Sequence, residues 1–202
     1  MIRCELTACA VITRSASVKA GKDDTQFVSF GITVPVVGRN GEKKNIEVGV
    51  TVDGGKDVAA VYTNGRRVNI LGILNIVKRN GKVFFNLRAD GGVELTKSTD
   101  PDKFEGKMEF KGKIGKKGVD EKKDKKDNVF KSFSAFSSDR DGDKTEFTWV
   151  RFLYFNPKEG EDFLQPNAYI QAKGELQLGV FKDEISLDCR LEEVSPWELK
   201  KS

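Results

Sequence analysis

Apolar and polar side chains alternate along several short stretches of the chain, which predicts strands rather than helices. In NIEVGVTV (45–52), one face is polar or small and the other consists of Ile46, Val48, Val50 and Val52. The stretch FTWVRFLYF (147–155) differs because both of its faces are apolar. One carries Thr148, Val150, Phe152 and Tyr154, and the other carries Phe147, Trp149, Arg151, Leu153 and Phe155. A strand in a one-sided sheet needs only one apolar face, so the second face requires another explanation.

The same series of strands occurs twice along the chain. QFVSFGITV (26–34) is matched by VFKSFSAFS (129–137), an offset of 103 residues that places Phe30 on Phe133. NIEVGVTV is matched by FTWVRFLY (147–154), an offset of 102 residues. Two further matches join RVNILGIL (67–74) to YIQAKGEL (169–176), and VFFNLRA (83–89) to DEISLDC (183–189), which places Leu87 on Leu187. Four matches in the same order indicate an internal duplication.

Each half has the same predicted plan of five strands, which defines the expected fold class. The connector after the third strand is helical in the first half, because KDVAAVYTNG (56–65) has good helix formers and ends on Gly65, a suitable C-cap. Five strands with a helix between the third and fourth, in about 100 residues, suit the small Greek-key barrel of the OB-fold. We expect an all-β chain of two tandem OB-fold barrels. Their expected limits are 1–97 and 107–202, with a linker at 98–106.

The first half indicates which face of FTWVRFLYF is interior, since only the aliphatic face of NIEVGVTV can line a barrel. By that register, Trp149 and its neighbours point outward. Phe130 and Phe136 of the preceding strand are expected to point outward as well. Exposed rings with interleaved cations suit single-stranded nucleic acid, because bases stack on rings and cations contact phosphates. The alternative is that these rings pack against the other barrel or against a second subunit.

Composition narrows the class of protein further. The chain of 202 residues has no histidine, which removes the commonest general base and lowers the expectation of an enzyme. Its three cysteines lack metal-ligand spacing and suit a reducing cytoplasm, so we expect no cofactor and no metal. No apolar run is long enough for a membrane span. Aromatic residues number 5 in the first 100 positions and 14 in the rest, so the second half alone has an evident use for rings.

The second half, from Met108 to about Val194, resembles the bacterial single-stranded DNA-binding protein family. The segments that carry the resemblance are FKSFSAFS, TEFTWVRFLYF and AYIQAKGEL. In that family a strand carries Trp, then Arg two residues later, then Phe four residues after that, as do Trp149, Arg151 and Phe155. An aromatic residue seven positions beyond a strand-four glycine corresponds to Phe181. The resemblance implies base contacts for Trp149, Phe155 and Phe181, whereas Arg151 can instead brace the barrel.

Three departures from the family modify this expectation. A family tryptophan between strands two and three has no counterpart in SSDRDGDKTE (137–146). The first half has Asn45, Glu47 and Gly49 on the corresponding face, so it is expected to stack bases poorly. The acidic, Phe-ended tail of the family is absent from SPWELKKS, so recruitment of partners through such a tail is not expected. A few family members carry two barrels per chain and form dimers, which implies a homodimer with four barrels here.

Basic residues supply candidate phosphate contacts. The segment 111–131 is expected to form the loop between the first two strands of the second barrel. It can act as a mobile arm or as a solvated, mixed-charge loop, and its stronger candidates are Lys111, Lys113, Lys116 and Lys117. Possible additional contacts in the first half, which could equally serve only solubility, are Arg66, Arg67, Lys78, Arg79 and Lys82.

These observations predict a cytoplasmic, non-enzymatic protein that binds and protects single-stranded DNA without sequence preference, in replication, recombination or repair. The predicted DNA-binding residues are Trp149, Phe155, Phe181, Arg151, Phe130, Phe136, Phe147, Lys111, Lys113, Lys116 and Lys117. Two alternatives stay open. The aromatic face could be a buried interface of a protein-interaction or assembly module, or the protein could be an RNA-binding OB protein.

Overall fold

The computed structural model describes residues 1–21, 25–38, 40–158 and 160–198. The chain forms two compact units. The N-terminal unit comprises Cys4–Ile76 and Phe84–Gly106, and the C-terminal unit comprises Met1–Arg3, Val77–Val83 and Lys107–Ser202. The predicted domain limits of 1–97 and 107–202 stay a prediction.

Among its described residues, the first half of the chain forms six strands and one short helix. They are β1 (Ile2–Ala20), β2 (Gln26–Val37), β3 (Lys43–Asp53), α1 (Lys56–Val61), β4 (Arg67–Arg79), β5 (Lys82–Arg88) and β6 (Val93–Thr96). β2 pairs antiparallel with β1 and β3, and β5 lies parallel to β3. β4 pairs with both β5 and β1, so the strand order β1-β2-β3-β5-β4 closes on itself.

The second half repeats this order with five strands. They are β7 (Lys103–Lys123), β8 (Val129–Asp141), β9 (Lys144–Phe155), β10 (Tyr169–Phe181) and β11 (Glu184–Pro196). β8 lies antiparallel between β7 and β9, β11 is parallel to β9, and β10 joins β11 to β7. The described part of the chain is therefore almost all β, with one short helix between β3 and β4, as predicted.

The inward and outward faces of the central strands follow the predicted alternation. Val28, Phe30 and Ile32 of β2 are completely buried. In the C-terminal unit the buried face of β9 consists of Thr148, Val150, Phe152 and Tyr154, as the register of the first half predicts. Phe152 packs against Phe133 and Phe110, with ring centroids 5.1 and 5.0 Å apart. The other face of β9 is thus free to be a surface.

The structure corrects the prediction that residues 111–131 form a loop. β7 continues to Lys123 and β8 starts at Val129, so most of this segment is a long hairpin with a bulge between Ile114 and Val119. Its turn is closed by Asp124, whose Oδ1 accepts hydrogen bonds from the backbone amides of Lys126 (2.7 Å) and Asn128 (2.9 Å). Cross-strand pairing therefore orders a segment whose composition is that of a solvated loop.

Two smaller predictions are also corrected. Helix α1 ends at Val61 with Tyr62 as its C-cap, so Gly65 is not the cap but lies in the following turn, where its φ is 84°. Leu87 lies beside Val50, and Cys189 lies beside Phe152. The counterpart of Leu87 is therefore Cys189 rather than Leu187, since a weak match between short apolar runs can slip by one strand period.

Candidate nucleic-acid interface

Three aromatic side chains gather on the outer face of β8 and β9. The ring centroid of Phe136 lies 4.9 Å from that of Trp149 and 5.2 Å from that of Phe147. Trp149 is 51% exposed and Phe147 is 45% exposed. These rings support one another and still present open faces, which is the geometry that stacking on a base requires.

The indole of Trp149 reaches over to Gly115 on β7, a position that has no side chain. A Cβ added to Gly115 would come within 3.1 Å of Trp149 Cζ3 and within 3.3 Å of the Ser134 carbonyl oxygen. The glycine thus leaves room for the ring beside the sheet, and Phe136 supports its edge. Packing on the protein side therefore holds the indole in place while its outer face stays open.

Trp149 is one end of a row of side chains that crosses four strands. Trp149 on β9 is the register partner of Phe136 on β8, which is opposite Lys113 on β7, which is opposite Tyr169 on β10. The ammonium of Lys113 lies 5.5 Å from the centroid of the Tyr169 ring. We call these four residues the ring row. In this row the cation of Lys113 lies between the aromatic cluster of Trp149 and Phe136 and the exposed Tyr169.

A second aromatic pair lies farther along the same two strands. Phe130 on β8 and Phe155 on β9 stack with centroids 5.0 Å apart and an interplanar angle of 25°. The guanidinium of Arg190 lies 5.5 Å from the Phe155 centroid, and Lys122 is the register partner of Phe130. Rings and cations again alternate across neighbouring strands.

Arg151 lies between the two aromatic groups and is held by a carboxylate. Its Nε donates to Asp188 Oδ1 at 3.0 Å, and its Nη2 donates to Asp188 Oδ2. Asp188 is mostly buried on β11, which runs parallel to β9. A two-pronged pair of this kind fixes the guanidinium in one orientation, so Arg151 braces two strands.

Phe181 lies apart from β8 and β9 along the fold, at the tip of the hairpin that joins β10 and β11. It is 66% exposed, and the ammonium of Lys182 lies 5.5 Å from its centroid. The turn itself consists of Lys182 and Asp183, both with positive φ, as tight hairpins require. Phe181 is therefore available for stacking at the end of β10, beside the turn of the hairpin.

The four candidate lysines of β7 differ in their surroundings. Lys113 belongs to the ring row, and Lys111 is two residues away on the same face, opposite Gln171. Lys116 is exposed within the bulge. Lys117 contacts Asp120 at 2.9 Å, and this hydrogen bond holds the pKa of the Asp120 carboxyl below its ordinary value. Lys113 is thus the lysine that the structure brings to the exposed rings.

The five additional cations of the first half fall in two different units. Arg66 and Arg67 belong to the N-terminal unit, and Lys78, Arg79 and Lys82 belong to the C-terminal unit. Arg67 forms an ion pair with Asp102 at 2.6 Å and donates to the Asp100 carbonyl oxygen at 2.6 Å. Arg66 donates to the Val61 carbonyl oxygen at 3.1 Å. The two arginines therefore have protein partners of their own.

Sequence reasoning did not identify three of the residues around the rings. Tyr169, Lys122 and Arg190 were not predicted as binding residues, yet each contacts or faces a candidate ring or lysine. The outward parity of Tyr169 could have been read from the buried Ile170 and Ala172 that follow it. Its place beside Lys113 depends on the pairing of β7 with β10, which alternation alone does not reveal.

The described residues contain no group of three or more His, Cys, Asp or Glu side chains arranged to hold a metal ion. No helix within the described ranges has the length and apolar character that crossing a membrane would demand.

The strand order and the nearly all-β composition of the chain are consistent with an OB-type fold. The outer face of β8 and β9 carries the candidate nucleic-acid surface. Two solved structures share the fold over 98% of this chain and 96% of theirs. One is the wild-type single-stranded DNA binding protein from Thermus aquaticus, with 10% sequence identity and a TM-score of 0.52. The other is a deletion mutant of the same protein, with 12% identity and a TM-score of 0.51. At these identities the likeness concerns the fold.

Comparison by sequence gives no further relative. No protein-family model matches the chain, and no curated protein matches it significantly.

Proposed function

We propose that this chain is a non-catalytic protein that binds and protects single-stranded DNA without sequence preference. Bases stack on the exposed rings of β8 and β9, and neighbouring cations contact the phosphates. The observation that carries the proposal is the half-exposed Trp149, supported by Phe136 and placed two strands from Lys113 in the ring row. Stacked bases in duplex DNA hide their faces, so such a surface favours single strands.

The likeness in fold to the Thermus aquaticus protein supports the same function, since that protein is a single-stranded DNA binding protein. We further propose that the two closed strand rings are tandem OB-fold barrels that arose by duplication. Gly72 and Gly174 support this, because each abuts the backbone of the last strand of its own ring, at Arg88 and Arg190. We place the protein in the cytoplasm, in replication, recombination or repair of DNA.

We propose that the chain is a homodimer that brings together four barrels, by analogy with family members that carry two barrels per chain. The chain has a mass of 22.5 kDa, so light scattering at micromolar concentration should give about twice that mass. A protein that stays monomeric at concentrations up to about 50-fold above those needed to bind DNA, that is, up to about tens of micromolar, would remove this part of the proposal.

Competition binding tests the proposed function. A labelled dT oligonucleotide of roughly 35 bases, longer than the about 4–16 nucleotides that one OB fold occupies, is bound by the wild type and competed with unlabelled dT, duplex DNA and poly-U. The proposal predicts that dT competes best and that duplex competes poorly. Trp149→Ala should weaken dT binding by about 5- to 150-fold, which corresponds to the loss of one stacking contact.

Two results would favour the alternatives. If Trp149→Ala binds dT as the wild type does but loses its oligomeric state, the ring face is a protein interface. If poly-U competes as well as dT or better, the protein is an RNA-binding OB protein.

A further inference from the structure

Tyr169 has the exposure and the neighbouring cation of a binding residue, although it lies outside the aromatic cluster of β8 and β9. It is 42% exposed at the start of β10, on the outer face of the C-terminal unit. Its neighbour Ile170 is completely buried, which fixes this part of the strand, and the tyrosine side chain faces outward. An exposed tyrosine on a rigid strand is well suited to stacking, because little side-chain entropy is lost when it binds.

The tyrosine ring is held in place by two neighbouring side chains. The ring of Trp197 packs edge-on against it with centroids 6.0 Å apart, and the Trp197 amide donates to the Tyr169 carbonyl oxygen at 3.0 Å. The ammonium of Lys113 also lies over the tyrosine ring, 5.5 Å from its centroid. These contacts orient Tyr169 in the chain without covering its exposed face.

The register of the sheet brings Tyr169 into line with Trp149. Neighbouring strands lie about 4.8 Å apart, so the three intervals from β9 to β10 trace a path of about 14 Å around the curved outer surface of the closed ring. Phe136 and Lys113 occupy the positions between them. Two strands, β8 and β7, therefore lie between a base on Trp149 and a base on Tyr169, and the ammonium of Lys113 lies on the surface path between them.

We infer that a bound single strand crosses the β-strands along the ring row, from Trp149 over Phe136 and Lys113 to a second stacking position on Tyr169. This inference rests on the proposed function and adds to it a direction and a further binding residue. Lys113 contacts a phosphate between the two stacked bases. To do so, its ammonium leaves the Tyr169 ring and binds the nucleic acid instead. The role of Trp197 is to position Tyr169.

The contact between Tyr169 and Trp197 supplies a direct readout. The chain has two tryptophans, so a Trp149→Phe variant leaves Trp197 as the only indole while it keeps a ring at position 149. Titration with the dT oligonucleotide should then change the Trp197 emission, because a base arriving on Tyr169 alters the surroundings of the packed indole. A purely structural Tyr169 would leave that emission unchanged.

Affinity measurements complete the test. Tyr169→Ala should weaken dT binding by about 5- to 150-fold, whereas Tyr169→Phe, which keeps the ring, should bind within about twofold of the wild type. Phe84→Ala is the matched control, since Phe84 is an equally exposed ring (45%) in the N-terminal unit. Lys113→Gln should lower the slope of log affinity against log salt by about 0.7, the value for one phosphate contact to a single strand.

Two outcomes would overturn the inference, and they are distinguishable. In the first, dT binds and quenches Trp149, but it does not change the Trp197 emission of Trp149→Phe, and Tyr169→Ala binds dT with wild-type affinity. The path then does not reach Tyr169, and the proposed function stands. If the wild type does not bind dT at all, the proposed function itself is wrong. Should Tyr169→Ala fail to fold, the Trp197 emission in Trp149→Phe decides alone.

Discussion

Two neighbouring side chains on the outer face of the C-terminal unit have different roles. Trp149 is open to solvent on one side, whereas Arg151, two residues along the same strand, is bound to Asp188 by two hydrogen bonds. The sequence places both residues on one face, and alternation suffices for that. The partner of Arg151 lies 37 residues away on a parallel strand, so no local pattern could assign it. We therefore interpret Arg151 as a brace.

Replacement of Arg151 by glutamine should lower stability more than it lowers DNA affinity. Loss of its hydrogen bonds to the carboxylate of Asp188 is expected to reduce the free energy of unfolding by about 1–3 kcal/mol. Urea denaturation measures this, with the exposed Arg190→Gln as a control that should change stability by less than about 0.5 kcal/mol. Unchanged stability together with a large loss of dT affinity would assign Arg151 to the DNA instead.

Tyr154 makes stability depend on pH in the alkaline range. Burial raises the pKa of its phenol above the ordinary value of 10.0, and the hydrogen bond to Glu161 Oε1 at 2.8 Å acts in the same direction. The stabilising contribution of the neutral phenol is complete below pH 10. It is lost as the pH rises from there through the raised pKa, because the unfolded chain ionises first.

A Tyr154→Phe variant lacks this ionisable group, so its stability should fall less steeply than that of the wild type above pH 10. Denaturant midpoints measured from pH 8 to 11 give the comparison, with Tyr62 present in both proteins. Parallel curves would mean that Tyr154 ionises equally in the folded and unfolded chains.

At the scale of strands and hairpins, the sequence predicts the centres of elements better than their ends. Each of the strand stretches predicted from the sequence lies in an observed strand to within one residue, because burial of one face enforces the alternation. The hairpin of β7 and β8 extends far beyond its predicted end, because pairs such as Val119 with Phe133 join strands across a bulge. The ring row depends on that bulge and on the pairing of β7 with β10, and a single sequence states neither.

Two glycines should be irreplaceable because a strand backbone lies against them. A Cβ at Gly174 would fall well inside 3.0 Å of the Arg190 carbonyl oxygen, and a Cβ at Gly72 would meet the Arg88 carbonyl oxygen in the same way. Each alanine variant should lose about 3 kcal/mol of stability, since backbone cannot yield as a side chain does. Gly49→Ala is the control, because its nearest neighbour is 3.8 Å away. Loss at only one of the two glycines would argue against equivalent packing in the two halves.

The two halves of the molecule share a strand order but not a surface. The face that carries Phe147, Trp149 and Arg151 in the second half carries Asn45, Glu47 and Gly49 in the first. Alternation of apolar and polar side chains, visible in the sequence, explains why both halves form the same series of strands. The difference between the surfaces is visible in the sequence as well, since it is a difference of composition at matched positions.

Binding should accordingly be unequal between the units. Phe84→Ala in the N-terminal unit is expected to leave dT affinity within about twofold of the wild type, although its ring is about as exposed as that of Trp149. Trp149→Ala should lower the affinity for dT by about 5- to 150-fold. Anisotropy of a labelled oligonucleotide measures both variants. Equal losses would mean that the two halves share the DNA.

The most direct measurement is the emission of Trp149 in a Trp197→Phe protein during titration with a dT oligonucleotide of roughly 35 bases, a length chosen to exceed the about 4–16 nucleotides bound by one OB fold. It is repeated with duplex DNA and at two salt concentrations. Bases stacked on the exposed indole should quench strongly with dT and weakly with duplex, and high salt should reverse the quenching. No quenching, with emission already blue-shifted in the free protein, would place Trp149 in a buried interface and contradict the proposed function.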